Sequence, residues 1–323
     1  MPPRADTGTP GAFCHLTAAQ GGGDREGWRT RLSEALGEDV DMRGWGDVGD
    51  PAEVGIALAW KPPLGALATF PNLRLIVSTG MGVDHLLIDP DLPPGIPIVR
   101  IIDPGLVGQM AEYAIYWALR HHRDMEAYAA QRRRGEWTEI PFTDTATRRV
   151  GVMGLGEIGA DTARKFAALG FPTAGWSRTA KSISGVETFH GQDGFDAFLR
   201  RSDILVDVLP MTPATAGLLD ARAFAALPRG AFLINMARGG HVVDADLVAA
   251  LDSGHLAGAA LDVFHVEPLP QAHPFWSHPR IEITPHIAGP TNPRTAAASV
   301  ADNVRRLRAG LPLVNVVDRA AGY

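Results

Sequence analysis

Three residues whose side chains suit acid–base and anion chemistry follow three separate apolar segments in the second half of the chain. Arg238 lies in INMARGGHVVD (234–244), Glu267 in LDVFHVEPLP (261–270) and His286 in TPHIAG (284–289). A histidine titrates near neutrality, with an ordinary pKa of about 6.5. A neighbouring carboxylate favours its charged form and orients its ring. A guanidinium can bind a carboxylate and polarise a carbonyl group as negative charge develops on it.

Each of these residues also has a structural interpretation. The chain has 11 histidines, so any one of them is more often structural or exposed. Glu267 alone is compatible with a loop charge, and Arg238 alone with an ion pair. The order Arg, Glu, His favours catalysis, because each follows its own strand and ligands of open α/β sheets bind at the carboxyl ends of strands. His85 and His241 lie beside motifs and stay outside the catalytic set.

A glycine-rich turn in RVGVMGLGEIGADTA (149–163) indicates a second ligand. Gly154, Gly156 and Gly159 form G-x-G-x-x-G directly after an apolar strand and before a helical pattern, which is the context that supports the motif. The first glycine permits a tight turn, the second lets the backbone approach a pyrophosphate, and the third lets helix and strand pack closely. The helix N-terminus favours phosphate groups. We therefore predict dinucleotide binding rather than only a tight strand–helix turn.

The end of the next strand indicates which dinucleotide. Enzymes that bind NAD usually carry an acid there, which bonds the ribose 2′-hydroxyl. GWSRTAK (175–181) has Ser177, Arg178 and Lys181 instead, and no acid. A cation pairs with a 2′-phosphate, so we predict NADP(H) as the preferred cofactor, with NAD(H) as an accepted alternative. The other interpretation is that these cations lie on the surface and bind no ligand. This interpretation suits Lys181 better than Arg178.

These residues must be positioned by a parallel sheet. Apolar, strand-length segments alternate with helical patterns along the chain, which predicts parallel sheets covered on both faces. The length of 323 residues favours two domains. The segment 105–137 reads as one long helix that is apolar around much of its circumference, and Asp244 as the N-cap of a later helix. Predicted strands cover 13–19, 54–60, 73–80, 96–101, 149–153, 172–176, 203–210, 231–237, 257–264 and 281–285.

Composition excludes several classes of function. The net charge of −6 argues against a nucleic-acid partner. The single cysteine, Cys14, permits no intrachain disulfide and fits a reducing compartment. The start of the chain has no apolar signal-peptide region, and the apolar runs are too short for a membrane span. We expect a cytoplasmic protein with no membrane partner and no metal site.

The motifs together resemble the D-2-hydroxyacid dehydrogenase family over nearly the whole chain. STGMGVDHL (78–86), GLGEIG (154–159), LPMTPATAGLL (209–219), INMARGG (234–240), DVFHVEPLP (262–270) and TPHIAG (284–289) occur in the order and spacing of the family. Within it, AWKPP (59–63), GWSRTAK (175–181) and VDRAAGY (317–323) resemble the glyoxylate/hydroxypyruvate reductase A branch.

The resemblance implies two Rossmann-like or flavodoxin-like α/β domains with parallel sheets. The dinucleotide-binding Rossmann domain, 104–288, is inserted into a substrate domain formed by 1–103 and 289–323, with the active site in the cleft between them. It also implies a homodimer formed through the nucleotide-binding domain, with helix 106–130 as the pairing element.

The resemblance also implies roles for individual residues. Arg238, Glu267 and His286 form the catalytic set. Trp60 contacts the substrate, and the backbone amides of Gly80, Met81 and Gly82 bind its carboxylate. Asp262 lies near the nicotinamide carboxamide, and Thr215 lines the cofactor unless it only caps its turn. The full cofactor-binding set is Gly154, Gly156, Glu157, Ile158, Gly159, Ser177, Arg178, Lys181, Pro210, Thr215, Ala237 and Asp262.

Three functions are compatible with these observations. The first is NADPH-dependent reduction of a small 2-keto acid, of the glyoxylate or hydroxypyruvate type, to the D-2-hydroxy acid, with His286 as proton donor. The second is a dehydrogenase for another D-2-hydroxy acid. The third is a non-catalytic, nucleotide-sensing binding protein. The intact set of Arg238, Glu267 and His286 argues against this third function.

Overall fold

A computed structural model describes residues 11–17 and 24–322 of the chain. Its described residues form two compact units, one comprising those up to Leu106 and those from Thr291 onward, the other Val107–Pro290. The domain boundaries expected after residues 103 and 288 stay a prediction. The strands are β1 (Ala12–Thr17), β2 (Met42–Gly44), β3 (Val54–Trp60), β4 (Leu75–Ser78), β5 (Ile98–Arg100), β6 (Val150–Met153), β7 (Thr173–Ser177), β8 (Glu187–His190), β9 (Ile204–Asp207), β10 (Ala231–Asn235), β11 (Leu256–Leu261) and β12 (Ile281–Ile283).

Helices separate most of these strands in the sequence. They are α1 (Arg25–Leu36), α2 (Asp84–Leu87), α3 (Pro104–His122), α4 (Met125–Arg134), α5 (Glu157–Ala168), α6 (Gly191–Arg200), α7 (Ala221–Ala226), α8 (Asp244–Asp252) and α9 (Pro293–Arg308).

The first unit is a five-stranded parallel sheet with the order β2-β1-β3-β4-β5. Its central strand β3 is buried from Val54 to Ala59, as expected for a strand that is covered on both faces. Helix α1 is capped by Asp24, whose carboxylate accepts a hydrogen bond from the Gly27 amide at 2.9 Å. Helix α9 returns from the end of the chain and packs against α1.

The second unit is a seven-stranded parallel sheet with the order β12-β11-β10-β9-β6-β7-β8. The strand order reverses at β6, which pairs with β7 on one side and β9 on the other. Such a reversal leaves a crevice at the carboxyl ends of the strands, where ligands of open α/β sheets bind. The segments that hold the glycine turn, Arg238 and His286 all follow carboxyl ends in this sheet.

The predicted fold class is confirmed: both sheets are parallel and alternate with helices. Each of the ten predicted strands is present, although most are shorter than predicted, and the last two positions of 13–19 lie outside the described residues. The prediction of one helix over 105–137 is wrong. The helix ends at His122, and α4 begins after Asp124, whose φ of 52° interrupts the helical backbone. Asp244 is the first residue of α8 rather than its N-cap, which is Val243.

No helix over residues 11–17 and 24–322 is both long enough and apolar enough to cross a membrane. The same residues contain no group of three or more His, Cys, Asp or Glu side chains arranged to hold a metal ion.

Candidate active site

The glycine turn after β6 is shaped by steric limits at two of its three glycines. Gly154 has a φ of 98°, a backbone conformation that L side chains rarely adopt. A Cβ on Gly159 would lie 1.7 Å from the Gly154 carbonyl oxygen and 2.9 Å from a methyl group of Val208. The tight turn therefore needs Gly154, and the close contact between helix and strand needs Gly159, as the sequence predicted.

The second glycine and the first turn of α5 offer backbone donors. Gly156 is the N-cap of α5, and a Cβ there would meet no atom within 4 Å. Glu157 and Ile158 begin the helix, and no side chain in the described part of the chain caps its first-turn amides. Such amides are satisfied by water or by a ligand, and they suit an anion. The turn thus fits the diphosphate of a dinucleotide.

The end of β7 lies beside this turn, because the Gly154 amide donates a hydrogen bond to the Trp176 carbonyl at 2.8 Å. Ser177 is buried, and its hydroxyl donates to the Thr179 carbonyl at 2.8 Å, which shapes the loop that follows. Arg178 and Lys181 are exposed on that loop. Two cations therefore follow the strand next to the glycine turn, and residues 177–181 contain no acidic side chain.

His286 and Glu267 form a direct pair. Nδ1 of His286 lies 2.9 Å from Oε2 of Glu267, and their side chains are 31% and 18% exposed. The Phe264 amide donates to the other carboxylate oxygen of Glu267 at 3.0 Å. The carboxylate is therefore fixed on one side by the backbone and orients the imidazole on the other. Nε2 is then the ring nitrogen that points away from Glu267.

Asp262 fixes the turn that carries His286. Its buried carboxylate accepts hydrogen bonds from the amides of residues 287–288, both at 2.8 Å, and from the Thr284 hydroxyl at 2.6 Å. The Tyr113 hydroxyl lies 2.6 Å from the same Thr284 oxygen. Burial raises the pKa of Asp262, and the hydrogen bonds that it accepts only partly offset this effect. His286 itself has a φ of 56°, so this turn holds it in a strained conformation.

Arg238 begins a four-residue turn, which we call the Arg238 turn (residues 238–241), three residues after the end of β10. Asn235 donates from its side chain to the Arg238 carbonyl at 2.9 Å and accepts from the Ala237 amide at 3.0 Å. A Cβ on Gly239 would lie 2.0 Å from the Phe264 carbonyl carbon, so the turn packs directly against the backbone whose amide binds Glu267. The structure thus brings all three predicted catalytic residues to neighbouring loops.

Thr215 serves its own turn. Its hydroxyl donates to the Pro210 carbonyl at 2.8 Å and accepts from the Thr212 amide at 2.9 Å. These hydrogen bonds show that Thr215 caps its own turn, which was the second interpretation of this residue in the sequence. A role of Pro210, Thr215 and Ala237 in cofactor binding stays a prediction.

The predicted substrate-binding residues of the first unit lie at the carboxyl ends of the paired strands β3 and β4. A Cβ on Gly80 would lie 2.2 Å from the Trp60 ring, so this glycine is needed for the tryptophan to pack there. The Ser78 hydroxyl contacts the carbonyls of Gly80 and Gly82, both at 3.0 Å, which holds the loop in shape. Among residues 11–17 and 24–322, no backbone carbonyl accepts a hydrogen bond from the amides of Gly80, Met81 or Gly82. These amides therefore suit a carboxylate.

One buried pair beside the site was not predicted. Nδ1 of His241, at the end of the Arg238 turn, lies 2.7 Å from Oδ2 of Asp207 at the end of β9. The sequence analysis left His241 outside the catalytic set. Its position three residues after Arg238 was the available signal, but nothing in the sequence links it to Asp207.

A parallel sheet with a glycine turn at its switch point, and an arginine and a His–Glu pair on neighbouring loops, defines a dinucleotide-dependent α/β oxidoreductase. Residues 115–288 match the family described as "D-isomer specific 2-hydroxyacid dehydrogenase, NAD binding domain". A glyoxylate/hydroxypyruvate reductase A of Serratia proteamaculans is 42% identical over 303 residues, which are 92% of this chain and 96% of the relative. The chain belongs to the D-isomer specific 2-hydroxyacid dehydrogenase family and is an NAD(P)-dependent oxidoreductase.

Solved structures of related proteins support the assignment to this family. A D-isomer specific 2-hydroxyacid dehydrogenase from Xanthobacter autotrophicus, in complex with NADPH and MES, is 44% identical with a TM-score of 0.91, covering 98% of this chain and 100% of that chain. The NADPH-dependent glyoxylate/hydroxypyruvate reductase of Sinorhizobium meliloti, in complex with NADP and sulfate, is 38% identical with a TM-score of 0.89. That match covers 97% of this chain and 100% of the other.

Proposed function

We propose that the protein reduces a small 2-keto acid, of the glyoxylate or hydroxypyruvate type, to the D-2-hydroxy acid with NADPH. The 2.9 Å pair of His286 and Glu267 beside the Arg238 turn is the observation that carries this proposal. The names of the relatives from Serratia proteamaculans and Sinorhizobium meliloti support the substrate type, and the NADPH and NADP in two related structures support the cofactor.

The glycine turn and the loop after β7 would hold the cofactor. First-turn amides of α5 would bind its diphosphate, and Arg178 with Lys181 would bind its 2′-phosphate. When bound, NADPH supplies a hydride to the keto carbon of the substrate. The protein binds the dinucleotide and fixes its orientation, while the groups described below act on the substrate.

His286 supplies the proton. Nε2 of the imidazolium donates to the keto oxygen as that oxygen gains negative charge, so hydride and proton together convert the carbonyl into a hydroxyl group. Glu267 stabilises the imidazolium through Nδ1 and fixes the ring. Arg238 binds the substrate carboxylate and polarises the carbonyl. For the first unit, we propose carboxylate binding by the Gly80–Gly82 amides and substrate contact by Trp60.

We further propose a homodimer formed through the second unit. Exposed apolar side chains on α3 and beyond it support this proposal: Tyr116 is 55% exposed, Trp137 98% and Phe142 80%. Sedimentation of the full chain at several concentrations tests it, and a monomer at all of them would rule it out. The cytoplasmic location stays a prediction.

The function is tested by following NADPH oxidation with a panel of 2-keto acids that includes glyoxylate, hydroxypyruvate, pyruvate and larger members. We expect the highest kcat/KM with glyoxylate or hydroxypyruvate. A clear preference for a larger 2-keto acid would favour the second hypothesis, a dehydrogenase for another D-2-hydroxy acid. Cofactor binding without turnover of any of them would favour a nucleotide sensor.

Arg178→Ala is expected to lower the preference for NADPH over NADH about 10- to 150-fold, because one charge-assisted hydrogen bond contributes about 1.5–3 kcal/mol. The measurement is the ratio of kcat/KM for the two cofactors. Arg222→Ala is the matched control, since Arg222 is an exposed cation of the same unit that pairs with Asp196 at 2.8 Å. An unchanged ratio in Arg178→Ala would remove this residue from the 2′-phosphate site.

Glu267→Gln is expected to lower kcat/KM for the 2-keto acid about 10- to 10²-fold, because the neutral amide no longer supports the proton-donating imidazole as the carboxylate does. The affinity for NADPH should stay within about twofold of the wild type. Glu282→Gln, which removes another carboxylate of the same unit, should leave kcat/KM unchanged. If Glu267→Gln keeps the wild-type kcat/KM, Glu267 does not act on the proton donor.

A further inference from the structure

We propose that His241 is a positioning residue for Arg238: a buried imidazolium, paired with Asp207, that locks the far end of the Arg238 turn. This inference rests on the proposed function, because the position of Arg238 matters to the reaction only if Arg238 binds the substrate.

The His241 ring connects the Arg238 turn to the end of β9. Nδ1 lies 2.7 Å from Oδ2 of Asp207, and Nε2 lies 3.3 Å from the Pro210 carbonyl oxygen. Both side chains of the pair are 0% exposed. The other carboxylate oxygen of Asp207 accepts from the Leu209 amide at 3.0 Å. A single buried ring therefore joins the turn that carries Arg238 to the 207–210 segment.

The partners of the ring favour its charged form. A carbonyl oxygen can only accept a hydrogen bond, so Nε2 must carry a proton to bond Pro210. An ionised carboxylate also only accepts, so Nδ1 must carry one as well. Burial alone disfavours the charged ring, but the charge and hydrogen bond of Asp207, together with the Pro210 carbonyl, outweigh burial and raise the pKa of His241 above its ordinary value. The positive charge of Arg238 opposes this rise in part.

The Arg238 turn is held on both sides. On one side, Gly239 packs directly against the Phe264 backbone, which leaves no space for a side chain. At its far end, the His241 carbonyl accepts from the Leu219 amide at 2.9 Å, and the Gly240 carbonyl accepts from Gly217 at 2.8 Å. The His241 ring adds the bond to the end of β9. Loss of the ring leaves the buried Asp207 carboxylate without its charged partner, so we expect the turn to rearrange and Arg238 to shift with it.

The charge state is tested by nitrogen NMR of the full chain labelled with ¹⁵N-histidine, with His241 assigned as the signal that disappears in His241→Gln. We expect both ring nitrogens to show the shifts of imidazolium at neutral pH and to exchange slowly with water. A neutral-tautomer pattern at neutral pH would overturn the assignment. This readout needs no substrate, so it stands apart from the outcome of the keto acid assay.

The coupling to Arg238 is tested by a double-mutant cycle. His241→Gln should lower kcat/KM for the 2-keto acid by about 10²-fold, as expected for a misplaced binding group, through a raised KM as well as a lower kcat. The affinity for NADPH should stay within about twofold of the wild type. In an Arg238→Ala background, His241→Gln should cost little more, because its effect passes through the missing guanidinium. Additive losses, or a loss of NADPH affinity alone, would overturn the positioning role.

Two further variants keep the test independent of folding. Asp207→Asn retains an acceptor for the His241 ring. We expect its melting temperature to stay within a few degrees of the wild type and its KM to rise less than that of His241→Gln.

His255→Gln is the matched control, because His255 also bonds backbone carbonyls, those of Phe224 and Leu227, but lies at the amino end of β11. His255→Gln should leave KM unchanged. A KM rise in His255→Gln equal to that in His241→Gln would mean a general loss of stability and would overturn the proposal.

Discussion

A His286→Gln variant is expected to reduce 2-keto acids with a kcat/KM about 10²- to 10⁴-fold below the wild type, while it still binds NADPH. Glutamine has about the length of histidine and can bond Glu267, but its amide cannot transfer a proton near neutrality. The hydride would then have to reach a carbonyl carbon whose oxygen receives no proton from the protein. Pre-steady-state measurement of NADPH oxidation reports this step without interference from product release.

His278→Gln is the control for this prediction. His278 belongs to the same unit and lies 3.3 Å from Asp252, but it precedes β12 rather than following it. Its replacement should leave kcat/KM within about twofold, because His278 bonds Asp252 and the Arg280 amide rather than Glu267. A loss below about tenfold in His286→Gln, with normal NADPH binding, would show that water or another group donates the proton.

The sequence predicted the parts of the site that local rules determine. Gly154 and Gly159 could be placed correctly because their roles follow from the backbone conformation and the close contact that a strand–turn–helix segment imposes. Arg238, Glu267 and His286 could be placed at strand ends because buried parallel strands are apolar and easy to find.

Other parts depend on contacts between distant segments, which the sequence does not display. The pair of His241 and Asp207 joins residues 34 positions apart, and the Tyr113–Thr284 contact joins residues 171 apart. Strand β8 was missed because it is an edge strand with exposed and half-buried positions. The break at Asp124 was missed because an aspartate adopts the left-handed conformation only in certain contexts.

Arg238→Ala is expected to lower kcat about 10²- to 10³-fold and to raise the KM for the 2-keto acid, because the guanidinium both binds the carboxylate and stabilises the charge that develops on the carbonyl. Arg238→Lys separates the two contributions: the ammonium keeps the charge but loses the paired donors, so its loss should be intermediate. Added guanidinium ion should restore part of the activity of Arg238→Ala and none of that of Arg238→Lys. A variant in which KM rises while kcat stays at the wild-type value would contradict this role, since it would limit Arg238 to binding the ground state. In that case the polarising charge would have to come from His286 alone.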